Sequence, residues 1–268
     1  MPRGIDRYDE ARLQGRLWTP AAIQPALGCW LDAGDPSTII YATGVSSWRD
    51  KSGRGAHATQ ATGALQPIYN PSGPPRITFT GQAFFDAASV TASGNSYDVL
   101  IIGKPLNAAV ERKLFFGNLS VDLVMITASD AIGVWNIGTG GFDQIGALTW
   151  PGQVGLLYYR TTDIGPFGDT GMSRNGAATV TYENVQTGYT NAPKIGNRTA
   201  GFSQPFGDIY EMIFLISSNT LSKTEPLIHK PRLEGYAAWR WAKLGAGDIV
   251  GLLPASHPFK NRPPLIGD

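Results

Sequence analysis

Three kinds of side chain in this sequence have the types and neighbours for chemistry: carboxylates in strand-like runs, histidines, and a cationic stretch at residues 46–60, SSWRDKSGRGAHATQ. A phosphate-binding loop uses a Lys-Ser pair such as Lys51-Ser52. It also needs the spacing GxxxxGK[ST] between a strand and a helix, so that backbone N–H groups and a helix N-terminus surround the phosphates. Here Asp50 precedes Lys51, and no helical pattern follows Gly55. Nucleic acid is excluded on similar grounds. No basic stripe continues from Arg49, Lys51 and Arg54, and 22 Lys+Arg against 21 Asp+Glu leave a net charge of +1. The stretch reads as a surface turn after a strand that buries Trp48, with Asp50 capping backbone N–H groups and Gly53 or Gly55 at positive φ.

Glycoside hydrolysis needs two carboxylates roughly 5–10 Å apart, which on one strand means acids two or four residues apart on the same face. Asp208 and Glu211 in GDIYE are three apart, on opposite faces of a regular strand, and VDLVMI offers Asp122 alone. Asp9 and Glu10 fall in an N-terminal arm. The serine-hydrolase elbow GxSxG is absent. His57, His229 and His257 are isolated, with no HExxH, so zinc is not expected. His257 in SHPFKN is expected to fix a contact of the tail by hydrogen bonding. Asp32, Asp35 and Asp50 are hard oxygen donors that calcium accepts, yet beside Gly and Pro they read as turn formers. No metal or other cofactor is expected, calcium being the one ion the residue types leave open.

Binding a sugar needs an aromatic ring for its apolar face and amides or charges for its hydroxyls. Trp135, Asn136 and Trp150 lie in the glycine-rich VWNIGTGGFDQIGALTWPGQ and are the candidate ligand-binding residues. Trp135 sits in an apolar run and reads equally as core, so Trp150, before Pro151, is expected to be the more exposed. Trp18, Trp30, Trp48, Trp239 and Trp241 read as packing residues, and Cys29, without a partner, as a small buried hydrophobe.

Short strands must position these residues. Eleven runs are rich in β-branched and aromatic residues and bounded by turn formers: 28–33, 38–43, 76–81, 96–104, 113–118, 121–128, 131–137, 154–162, 177–184, 192–197 and 206–217. They predict two packed antiparallel sheets. Helix is expected over Asp6–Leu13, closed by Gly15, and again from Pro231, with Leu233, Ala237, Trp241 and Leu244 on one face and Gly245 at its end. The proline-rich end is expected to stay extended. No stretch approaches the ~20 apolar residues of a membrane span, and the start lacks a secretory signal pattern.

The ordered blocks CWLDAGDPSTI, VSSWRDKSGRGAHATQ, PRITFTGQAFFD, FGDIYEMIFL, LEGYAAWRWAKL and LLPASHPFKNRPP resemble the laminin G-like, concanavalin A-like jelly rolls of bacterial surface and tailed-phage virion proteins. The opening YDEARLQGRLWTP is similar to the starts of phage tail-module proteins. The resemblance implies an all-β, two-sheet antiparallel jelly-roll sandwich: an arm at 1–16, the sandwich with its C-terminal helix at 17–245, and an extended tail at 246–268. It implies a non-enzymatic bacteriophage virion protein, made in the host cytoplasm, at the tail tip, baseplate or fibre. Its partners would be other virion proteins and a host-surface glycan or receptor, with no nucleic acid and no membrane insertion. A homotrimer follows by family analogy. A capsid decoration protein is the alternative, and a glycan-degrading enzyme on the same fold the second.

Overall fold

The computed structural model describes residues 3–87, 97–106, 112–116, 122–136, 141–162, 168–185, 194–197, 205–216 and 225–268. Among them two antiparallel sheets of eight and nine strands stack on each other. The first runs β15 (Val180–Val185), β14 (Gly168–Arg174), β13 (Gly155–Thr162), β8 (Tyr97–Pro105), β17 (Gly207–Ile216), β6 (Arg76–Thr78), β5 (Ile68–Asn70). Strand β1 (Leu27–Asp32) also pairs with β17, beyond β6 on the same edge. The second runs β12 (Gly141–Thr149), β11 (Ala131–Asn136), β10 (Asp122–Ile126), β9 (Arg112–Phe116), β16 (Lys194–Ile195), β7 (Phe85–Asp86), β4 (Ala58–Thr59), β3 (Val45–Trp48), β2 (Ile39–Tyr41).

Alternation divides each strand of the first sheet between two cores. Leu31, Val99, Ile101, Leu157, Tyr159, Met212 and Phe214 point inward to meet Trp48, Phe85, Val124 and Ile132 of the second sheet. Their neighbours Trp30, Leu100, Ile102, Leu156, Tyr158, Ile213 and Leu215 point outward to a second core. Helix α2 (Glu225–Lys243) roofs that outer core with Leu233, Tyr236, Ala237 and Trp241. A continuous apolar run such as MIFLI is therefore a strand buried on both faces.

The expected start of α2 at Pro231 is corrected. The helix begins at Glu225 and Pro231 lies inside it, its fixed φ being helical at the loss of one backbone donor. Gly245 at φ +86° ends the helix as expected, and Ala246 N–H returns to the Trp241 carbonyl. Helix α1 (Arg3–Leu13) likewise ends before Gly15 at φ +64°. The proline-rich end is less extended than expected: Asp248 caps one short helical turn, α3 (Ile249–Leu252). Lys260 Nζ then gathers the carbonyls of Val250, Gly251 and Leu253 at 2.6–2.9 Å.

Gly235 is where α2 meets this terminal segment. A Cβ there would lie 2.6 Å from Phe259 Cβ, while Trp239 Nε1 holds the Phe259 carbonyl at 2.8 Å. In an open helix Gly→Ala stabilises by up to about 1 kcal/mol. Here Gly235→Ala should reverse sign and destabilise by roughly 1–3 kcal/mol through overpacking. Urea melts of Gly235→Ala alone and combined with Phe259→Gly check this, because removing the Phe259 Cβ as well should make the added methyl harmless.

Strand β17 carries the feature that matters most for chemistry. Asp208 and Ile209 pair with Lys104 and Gly103, but Glu211 pairs with Ile102, leaving Tyr210 as an extra residue. This β-bulge breaks the alternation. Ile209 faces the inner core, Tyr210 the outer one, and Glu211 faces outward too. The expectation that Asp208 and Glu211 take opposite faces is thus corrected, since it assumed a regular strand.

Candidate functional site

The bulge delivers Glu211 to a buried cluster beneath α2. Across the β1/β17 ladder its Cα partner is Asp32, and both side chains are fully buried. Glu211 Oε1 accepts from Trp30 Nε1 at 2.7 Å and from the Tyr236 hydroxyl at 3.1 Å, while Oε2 accepts from Trp241 Nε1 at 2.6 Å. Asp32 accepts from Lys51 Nζ at 2.8 Å, from Arg240 Nη2 at 2.7 and 3.0 Å, and from Gly34 N–H at 2.9 Å. Burial, seconded by the Asp32 charge, pushes the Glu211 carboxyl up to about 7, against Arg240 and the two indole donors. Arg240 is raised despite its burial by Tyr236, Glu211 and Asp32.

Two facing carboxylates, one raised and one ion-paired, form the kind of pair that serves as acid and nucleophile in glycoside cleavage. This pair lacks access. Both carboxylates are covered by the indoles and α2, and their accepting positions are filled from within the protein. The arrangement ties α2 to the sheet and leaves no room for a glycosidic bond.

The turn that follows β3 completes the cluster. Asp50 accepts N–H groups of Trp30, Ser52 and Ala56 at 2.8, 2.7 and 3.1 Å, and Gly53 and Gly55 take φ +85° and +72°. So held, Lys51 reaches both Asp32 and Asp35, its Nζ 4.5 Å from the Trp30 ring centroid. The three aspartates considered for calcium face these internal donors. Among the described residues no three His, Cys, Asp or Glu converge as a metal site. His257 Nδ1 accepts Phe259 N–H at 3.2 Å, and its Nε2 lies 3.5 Å from Glu234. That histidine does bind the terminal segment to α2.

Of the candidate sugar-binding residues, Trp150 is placed otherwise than expected. It is fully buried, edge-on to Phe206 at 5.5 Å, with Nε1 donating to the Gln153 carbonyl at 2.8 Å. A residue before proline in a glycine-rich stretch is not thereby exposed: here the inner core needed a large ring. Trp135 and Asn136 pair with Phe142 and Gly141 in β11/β12, and their side chains lie outside the described ones.

Among the described residues, an aromatic ring available to a ligand lies elsewhere. Tyr41, in the edge strand β2, is 52% exposed and rests edge-on against Tyr69 of β5, ring centroids 5.3 Å apart. Tyr69 is anchored through its hydroxyl to the Ala33 carbonyl at 3.3 Å. Burial, then the charges of Tyr41, Asp32 and Asp35, raises its pKa. The Asp35–Lys51 pair, 2.9 Å apart, lies close enough for the Asp35 charge to act on the Tyr69 hydroxyl. An exposed ring on a rigid second ring, with charged hydrogen-bonding groups nearby, matches what a sugar requires. Sequence reading missed it because Tyr41 sits in a strand-like run that gives no sign of being an edge.

No family model and no curated protein matches the chain in sequence. Solved structures match in fold. Trypanosoma rangeli sialidase in complex with the inhibitor DANA aligns over 80% of this chain and 36% of its own, at TM-score 0.51 and 13% identity. Domain 4 of AbnA, a GH43 extracellular arabinanase from Geobacillus stearothermophilus, aligns over 75% of this chain and 97% of its own, at TM-score 0.48 and 15% identity. The Ruminococcus gnavus sialidase CBM40 bound to sialyllactose covers 55% of this chain and 93% of its own, at TM-score 0.40 and 16% identity. The chain thus spans about a third of the sialidase.

The β-sandwich expected from the sequence stands. The expected identity as a non-enzymatic virion protein, in the tail or on the capsid, is overturned. The fold is shared over 80% of the chain with a sialidase, and nothing found points to a phage structural protein.

Proposed function

We propose that this chain is a glycan-directed β-sandwich, the carbohydrate-engaging part of a glycan-acting system, with Tyr41 as its stacking platform. The likeness to the sialidase fold over 80% of the chain carries the reading. The exposed Tyr41 ring supports a place for it, because the inner face between the sheets is filled by core side chains and cannot admit a ligand. A jelly-roll topology of the concanavalin A kind suits the same reading. Sugar hydroxyls would meet Asp35 and Lys51 while the ring covers a C–H face.

The test is a titration of the whole chain with sialylated, arabinan and galactose-terminated oligosaccharides, with reducing-sugar release followed in parallel. Saturable binding is expected for at least one class. Tyr41→Ala should weaken it about three- to ten-fold, the worth of one stacking contact, without moving the melting temperature. If the whole panel gave neither saturable binding nor sugar release, the reading would fail.

A further inference from the structure

A second place on the molecule has the chemistry of a sugar site. Between the last turn of α1 and the terminal segment lies a cavity of about 200 Å³. Two of its lining residues, Arg16 and Leu265, belong to a backbone junction: Leu17 bridges Leu265, Trp18 N–H donates to the Pro264 carbonyl at 3.1 Å, and Ile266 N–H to the Arg16 carbonyl at 2.8 Å. Ala11, Pro263 and Leu265 give it an apolar side, and Glu10, Gln14, Arg16 and Arg262 a polar one.

The polar groups are not equally engaged. Arg262 is committed to Asp268 through two bonds of 2.7 and 2.8 Å. Among the described residues the Glu10 carboxylate accepts only the Gln14 amide, at 3.3 Å through Oε1, and the Arg16 guanidinium meets none of them. The cavity therefore offers an open donor fork and an open carboxylate oxygen together. Its formal charge cancels, Arg16 and Arg262 against Glu10 and Asp268. An anion would gain Arg16 and be repelled by Glu10. A neutral polyol satisfies both, since each hydroxyl donates to the carboxylate and accepts from the guanidinium. Pockets for drug-sized ligands are about 300–1,000 Å³, so this one suits a single ring.

We infer that this cavity binds one neutral monosaccharide unit, a terminal hexose or pentose of a glycan, through Arg16 and Glu10. The inference rests on the glycan-directed reading and adds to it a second site and a preference for uncharged sugar. An amide-resolved NMR titration of the full chain with methyl β-galactopyranoside, methyl α-arabinofuranoside and N-acetylneuraminic acid tests it. Saturable shifts are expected at Gln14, Arg16 and Leu265 for a neutral glycoside, with little dependence on salt. Arg16→Gln and Glu10→Gln should each weaken binding at least about five-fold, the loss of one charge-assisted hydrogen bond, with the melting temperature unchanged. Lys104→Gln, an exposed change away from the cavity, should leave it intact. A salt-sensitive preference for the acidic sugar would overturn the inference, as would shifts confined to the Tyr41 platform and indifferent to Arg16→Gln. Either result leaves the glycan-directed reading standing, whereas silence toward every sugar sinks both.

Discussion

Asp32→Ala is expected to lower folding stability by about 3–5 kcal/mol, the usual consequence of removing one partner from a buried ion pair. The size follows from what stays behind. Arg240 and Lys51 both point at a carboxylate with no exposed surface, and Arg240 comes from a helix more than two hundred residues away in sequence. Without Asp32 the two cations face each other across a buried space. Removing Arg240 as well should recover part of the loss, since Lys51 still has Asp35 at 2.9 Å. Urea unfolding of Asp32→Ala, Arg240→Ala and the double variant forms a cycle whose coupling energy measures the pair. A cost below about 1 kcal/mol, typical of an exposed bridge, would show that the cluster does not hold α2.

Stability is also expected to fall as pH rises from about 5 to about 8, with Glu211 as the main cause. A carboxyl raised from 4.5 to about 7 on folding binds its proton more tightly in the native state. Its contribution is complete below pH 4.5 and is lost as pH climbs through 7. Across that interval the loss is on the order of 3 kcal/mol for this group alone. Asp98, raised by burial to about 6 against the attraction of Arg160, adds in the same direction between pH 4 and 6. Asp35 and Asp50 have the opposite sign. Burial raises them, but hydrogen bonds, led by Ser52 and Ser37, bring both below 3.8, so their stabilisation is lost only in stronger acid. Glu211→Gln should flatten the fall seen in thermal melts between pH 5 and 8, and an unchanged slope would contradict the assignment.

How far residue patterns announce this molecule differs from element to element. The sheet-facing side of α2 was legible because Leu233, Ala237 and Trp241 recur at helical spacing, and all three are buried. The Asp50 turn was legible because aspartate followed by two glycines is local chemistry. Strands β4, β7 and β16 are two residues long and carry no periodicity to read. The bulge at Tyr210 was illegible for a related reason: GDIYEMIFLI alternates acceptably in either phase, and only pairing with β8 decides which residue is extra. The buried carboxylate pair depends on that phase and on residues 179 positions apart, so no local motif could reveal it. Trp150 is buried and Tyr41 exposed because exposure belongs to where an edge falls, which is a property of the assembled sheet.

The place of β17 also sets a timetable. It is bonded to β8 along its whole length, to β6 at Asp208 and Ile209, and to β1 from Glu211 to Leu215. On the ribosome the chain emerges from its N-terminus at roughly 5–20 residues per second. Strand β1 therefore waits through the synthesis of every strand from β2 to β16 before its neighbour exists, and α2, which covers them both, arrives later still. Until then Trp30, Ile102 and Tyr158 have no cover on their outer side. A nascent chain stalled before residue 216 is consequently a substrate for chaperones and proteases, and this sandwich closes only once β17 and α2 have both been made.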